Sequence, residues 1–178
     1  APPDAFNPAG QGWGLPPFDP NALREAAYAP FVELLRANMR HAGAVRIDHV
    51  MELARQFWIP AGGKPADGTY VRFPMEDLLG ILALESRRHR CVVIGEDLGT
   101  VPDGFRDRLA QAGVLSYRLL YFERGGDGAF TPPARYPALS LAAVATHDLP
   151  PLPGYWSGHD IDTRARLGML PSAEAERA

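Results

Sequence analysis

Ala44-Val45-Arg46-Ile47-Asp48-His49 decides the reading of this chain. Apolar residues alternate with an arginine and stop at an aspartate. This is the pattern of a short buried strand that delivers a carboxylate at its C-terminal end. Two later stretches repeat it. Cys91-Val92-Val93-Ile94-Gly95-Glu96-Asp97 ends in two acids, and Leu141-Ala142-Ala143-Val144-Ala145-Thr146-His147-Asp148 ends in a histidine and an acid. Three apolar strands ending in acids lead to the expectation that Asp48, Glu96 and Asp148 share one site.

Around these strands the chain alternates helix and strand. Residues 21–42 have helical spacing at Phe31, Leu34, Leu35 and Met39. Asp19 or Asn21 is the start signal, and Pro30 is expected to bend the helix or split it at Ala29. Residues 51–59 read as a short helix, 60–69 as a Gly- and Pro-containing loop, and 70–73 as a brief alternating segment. A second helix is expected over 74–88, with acids early and bases late. Thr100 or Asp103 would cap a third over about 102–111. Residues 115–122 form a strand candidate with Tyr117, Leu119 and Tyr121 on one face, and 139–145 form another. The segment after Asp148, with Pro150, Pro151, Pro153 and Gly154, reads as a loop. A last polar helix begins near Asp162.

This order is a β/α pattern. A doubly wound sheet and a (β/α)8 barrel both fit it. Gly10-Gln11-Gly12-Trp13-Gly14 neither follows an obvious strand nor opens a regular helix, so it is a poor phosphate or dinucleotide loop. Acids at the ends of different strands meet at one mouth of a barrel, which favours the barrel. Four strand candidates cannot close eight strands, so either a partial (β/α)8 barrel or a different, smaller fold is expected.

Bulk properties limit the alternatives. The chain has 178 residues, 46% of them hydrophobic and 22% charged, with a formal net charge of -3. That composition fits a globular domain with a core and gives no basic surface for nucleic acid. Cys91 is the one cysteine, which excludes an intrachain disulfide, and its apolar neighbours place it in a core. No apolar run is long enough to span a membrane. The 18 glycines and 18 prolines gather in clusters, as in large structured loops between compact elements.

Two carboxylates about 5–5.5 Å apart suit retaining glycoside chemistry, one as nucleophile and one as acid/base. A third can stabilise positive charge on the sugar ring. Arg46 lies two residues before Asp48 and therefore faces the same side of the strand. His147 is placed to bond a sugar hydroxyl, and Trp13, Trp58 and Trp156 could stack on sugar faces. Asp48, His49, Glu96, Asp97, His147 and Asp148 would also suffice for a two-metal hydrolase, although no metal-specific spacing is present. Structural roles, capping helices or pairing with arginines, remain open for the same acids. The loop tryptophan Trp13 could equally cap the core.

Arg46-Ile47-Asp48-His49, Ile94-Gly95-Glu96-Asp97-Leu98-Gly99 and Thr146-His147-Asp148 together resemble the three catalytic motifs of the bacterial amylomaltases, or 4-alpha-glucanotransferases, in that family's chain order. Asp4-Ala5-Phe6 and Gly10-Gln11-Gly12-Trp13-Gly14 with Pro16 resemble its glucan-binding loop, here within residues 1–20. The resemblance covers about 3–170. It implies that Asp48 is the nucleophile, Glu96 the acid/base, and Asp148 the residue that binds donor-ring hydroxyls. Arg46 and His147 would support the donor sugar, and Asp4, Gln11 and Trp13 would contact glucan. The implied reaction moves an α-1,4-glucan segment to the 4-hydroxyl of a glucan, glucose or maltose acceptor. The family requires no metal or organic cofactor and implies a cytoplasmic location, with no nucleic-acid or membrane partner. Its members are much longer. The 178 residues are therefore expected to run from the third-strand loop through the seventh strand, with 159–178 starting a terminal helical segment. The missing remainder of the barrel would be the partner of this piece. Taken alone, the piece could be inactive or only bind glucan. Open edges should expose apolar surface.

Overall fold

A computed structural model of the chain describes residues 1–3 and 8–170. Asp4, with Ala5 and Phe6, and the end of the terminal segment lie outside the described residues. The chain divides into two compact units, 1–116 and 117–178.

In the first unit, Asp19 caps α1 (Pro20–Glu25). Its carboxylate accepts the amides of Asn21 and Ala22 at 2.7 and 3.0 Å. The expected break before Pro30 is present: Ala27 and Tyr28 take left-handed backbone at φ 47° and 60°, and α2 (Ala29–Met39) begins immediately. The Tyr28 hydroxyl is tied to Asp77 on α3 (Met75–His89). α2 and α3 pack through Leu35, Met39, Leu78, Leu79 and Leu82, all buried.

β1 (Ala44–Ile47) and β4 (Val92–Gly95) pair in parallel, with Ile47 opposite Gly95. Leu115 bridges Ile94 in parallel on the other side of β4. These connections are the parallel ladder expected from the apolar runs. Burial differs from the expectation. β1 is half-buried in alternation rather than enclosed, and Val92 of β4 is exposed. Beneath the ladder, Cys91, Val93, Val50, Leu53, Phe105, Leu109 and Val114 complete the core. Burial pushes the Cys91 thiol upward, as for an inert core cysteine.

The segment 51–59 is not a helix. A 3-10 turn at Val50–Leu53 leads into β2 (Arg55–Trp58), which pairs antiparallel with β3 (Thr69–Arg72) and sets Phe57 opposite Tyr70. Long-range pairing outweighs a weak local preference here. Gly68 permits the tight return: a Cβ there would come within 2.5 Å of the Phe57 ring.

α4 (Phe105–Gln111) is capped by neither Thr100 nor Asp103. Gly104, at φ 71°, precedes it. α2 and α3 are held together by ions as well as apolar contacts. Glu85, buried on α3, accepts Arg36 through two bonds of 2.9 and 3.0 Å and Arg88 at 2.8 Å. The Arg36 hydrogen bonds hold its carboxyl down at about 2, against desolvation.

The unit boundary falls inside β5 (Ser116–Leu119), which neighbours β6 (Ser140–Ala143). Tyr117, Leu119 and Tyr121 are buried, matching the expected face. The proline-rich segment after Asp148 is helical, contrary to the expected loop: α5 (Leu152–Ser157) carries its proline in the first turn, where no helical N–H is lost. α6 (His159–Arg166) follows. Stacking of Tyr121 on Tyr155, with centroids 3.9 Å apart, fastens α5 to the residues after β5. The Tyr121 hydroxyl also donates to the Pro150 carbonyl at 3.0 Å. β6 leaves Leu141 exposed, and Val144 just beyond it is exposed too. Among the described residues no helix is long and apolar enough to cross a membrane.

Candidate active site

The ladder register brings Asp48 and Glu96 together. Each is the first residue past a strand, and the two strands are adjacent and parallel. Neighbouring strands lie about 4.8 Å apart, so two carboxylates leave the same sheet edge side by side.

Glu96 is fastened at every polar atom. Its N–H donates to Ile47 at 2.8 Å, and its carbonyl accepts the Val50 amide at 3.0 Å. Its Oε2 accepts the His49 amide at 2.9 Å, and its Oε1 accepts the Leu98 amide at 2.7 Å. Although polar, it is only 4% exposed. Gly95 makes this seat possible: a Cβ there would meet Val50 Cγ1 at 2.9 Å, and Val50 is fully buried.

Asp48 is more open and is paired with Arg46, whose Nη2 lies 2.7 Å from Asp48 Oδ1. The two-residue spacing thus gives the contact that strand periodicity implied. Asp97, next to Glu96, has a different role. It is buried and bound by Arg106, with Nε to Oδ2 and Nη2 to the Asp97 carbonyl both at 2.7 Å. It anchors α4 instead of facing an open site. Among the described residues no group of three His, Cys, Asp or Glu side chains could hold a metal ion.

The loop 10–14 reaches this site through Trp13. The Trp13 ring stacks on His49 with centroids 5.0 Å apart, and its Nε1 donates to Gln11 Oε1 at 3.1 Å. Trp13 is 55% exposed, so it is neither a core cap nor hidden from a ligand. Gly10, at φ 68°, sits so close to Pro65 that a Cβ would clash at 2.5 Å, and the Gln11 amide donates to the Ala1 carbonyl at 2.9 Å. These contacts seat the loop. Trp58 is partly buried against the core, with its Nε1 enclosed. Trp156 is 75% exposed.

Asp148 and His147 follow β6 in the second unit. They pair with each other at 3.2 Å and are both highly exposed. The Asp148 amide donates to Thr146 Oγ1 at 3.2 Å. Sequence reasoning missed His49 as a contact of Glu96 and placed it only among possible metal ligands. Its position directly after Asp48 was the available signal.

The chain is 46% identical over 170 residues to a 4-alpha-glucanotransferase of Haemophilus influenzae, covering 96% of this chain and 24% of that protein. Among solved structures, the Corynebacterium glutamicum amylomaltase superposes with a TM-score of 0.91 at 46% identity, over 99% of this chain and 25% of that one. The Streptococcus agalactiae amylomaltase, solved in complex with acarbose, shares the fold with a TM-score of 0.74 at 19% identity, over 96% of this chain and 36% of that one. The chain thus spans about a quarter of the length of the curated relatives it matches. The family described as 4-alpha-glucanotransferase matches residues 1–177, and this chain belongs to that family.

Proposed function

We propose that this chain is the acid-bearing part of a cytoplasmic 4-alpha-glucanotransferase, contributing the third-strand loop through the seventh strand of a (β/α)8 barrel. The observation that carries the reading is the pairing of β1 with β4, which sets Asp48 beside a Glu96 fixed by two backbone amides. Adjacent parallel strands bring the two residues close enough for the near carboxylate pair that a retaining mechanism uses.

In this reading Asp48 attacks the anomeric carbon of an α-1,4-glucan. Glu96 protonates the departing glycosidic oxygen. The resulting glycosyl ester on Asp48 is then attacked by the 4-hydroxyl of an acceptor glucan, glucose or maltose, and Glu96 takes the proton. The amides on Glu96 hold it in place through both half-reactions, so little reorganisation is needed. Arg46 orients Asp48 and supports the donor sugar. Asp148, with His147, binds donor-ring hydroxyls and favours the charged, flattened ring. Asp4, Gln11 and Trp13 hold glucan at the cleft. No step uses a metal or an organic cofactor.

Incubating the full-length protein with maltotriose is expected to yield glucose and longer maltodextrins. Hydrolysis products alone, with no chain longer than the substrate, would reject the transfer reading. For the 178 residues alone the exposed Asp148 end favours no turnover. The same assay on that chain tests this, with glucan binding measured alongside.

A further inference from the structure

We propose that His49 is a positioning residue for Glu96, and that through its stack on Trp13 it couples the seating of the 10–14 loop to the acid/base group. The inference rests on the assignment of Glu96 as acid/base and extends it to a residue with no role in that assignment.

Three observations converge on His49. Its backbone is left-handed, at φ 44° and ψ 53°, a conformation uncommon outside glycine, though histidine is among the residues enriched there. That turn aims its N–H at Glu96 Oε2, and the next amide, of Val50, binds the Glu96 carbonyl. Its ring then projects between two functional groups. The Nε2 edge lies 4.0 Å from Glu96 Oε2, and the ring face lies on Trp13. Gln11 holds the indole from behind through Trp13 Nε1. A continuous series of contacts therefore runs from Gln11 through Trp13 and His49 to Glu96. A displacement of the loop tryptophan moves the ring that rests beside the carboxylate. A glucan that fixes Trp13 would thereby fix Glu96, so that binding energy at the loop becomes alignment at the reacting bond.

The test uses the full-length enzyme with maltotriose, measuring kcat and KM for His49→Gly, His49→Phe, Trp13→Ala and the double variant His49→Gly/Trp13→Ala. Glycine keeps the left-handed backbone and removes the ring. Phenylalanine keeps the stacked ring. His49→Gly is expected to lower kcat by about 10–100-fold, the scale of a small misplacement of a catalytic group, with KM changed much less. His49→Phe should recover most of that loss. The double variant should be no slower than the slower single variant, because both act through one contact series. Retention of kcat within about twofold in His49→Gly, or losses that multiply in the double variant, would overturn the proposal. If His49→Gly does not fold, as judged by circular dichroism, His49→Asn supplies a ring-free side chain tolerant of this backbone and carries the same expectations. Glu96→Gln separates the two levels of inference. Abolished transfer with a silent His49→Gly defeats the positioning role alone. Near-normal transfer in Glu96→Gln defeats the acid/base assignment and the positioning role together.

Discussion

Glu96 and Asp148 both follow a short apolar strand, yet the two units hold them differently. Glu96 ends a strand whose Val93 lies in the core and whose edge is paired on both sides. Its carboxylate is buried and accepts two amides. Asp148 lies in a turn beyond β6, whose Leu141 is exposed, and its contacts come from its own neighbours, Thr146 and His147. A carboxylate seated over a packed core is positioned by the chain around it. One in an exposed turn is positioned by local contacts, and even an exposed charge pair is worth only about 0–1 kcal/mol. The same sequence grammar thus gives a rigid half-site in one unit and a loosely held residue in the other.

The contrast can be broken by substitution. The largest effect is expected from Asp48→Ala in the full-length enzyme, which should reduce transfer by about 10^4-fold or more with little loss of stability, as for removal of a covalent nucleophile. Near-normal glucose release from maltotriose would refute the nucleophile role. In the first unit, Leu82→Ala should cost about 2–5 kcal/mol in urea unfolding, because Leu82 is fully buried at the α2–α3 contact. Gly95→Ala should cost about 1–3 kcal/mol by forcing Val50 aside, and should also slow transfer because Glu96 is the next residue. An unchanged urea midpoint in Gly95→Ala would show that the ladder yields more readily than its packing implies.

Acid sharpens the comparison further. The Glu85 carboxyl is held at about 2, below its ordinary value of 4.5, chiefly by Arg36. Its contribution to stability is therefore present above about pH 4.5 and is lost as pH falls toward 2. Glu85→Gln should flatten that part of the pH–stability curve and cost about 1.5–3 kcal/mol at neutral pH, the range for hydrogen bonds to charged groups. An identical acid slope in wild type and variant would show that other carboxylates control it. The smallest effect is expected in the second unit. His147→Ala should change stability by less than about 1 kcal/mol, because its contact with Asp148 is exposed, while still lowering transfer. A larger stability loss would mean that this end is more firmly built than its exposure indicates.

Where local chemistry is strong, the sequence was legible. Asp19 capped a helix, Pro30 marked a break, and the 74–88 periodicity became α3. The alternation at Arg46 and Asp48 became a direct contact. Where distant partners decide, it was not. Arg55-Gln56-Phe57-Trp58 has no distinctive local pattern, and its strand form comes from pairing with 69–72. The prolines after Asp148 suggested a loop because composition does not show that one of them occupies a helix's first turn. Asp97 and Glu96 are adjacent in sequence and alike in chemistry. Only packing sends one to Arg106 and the other to the His49 and Leu98 amides.

The sequence by itself determined which residues are the candidates for the chemistry. The strand-ending acids, the arginine beside Asp48 and the glycine-rich tryptophan loop are fixed by residue type and spacing, and they carried the family resemblance. Tertiary structure alone decided their settings. The β1–β4 register set Asp48 beside Glu96, because hydrogen bonding between segments nearly fifty residues apart leaves no mark in either segment. The left-handed turn at His49 joined the loop to the acid, because that backbone is held by contacts to Glu96 and not by the preference of histidine alone.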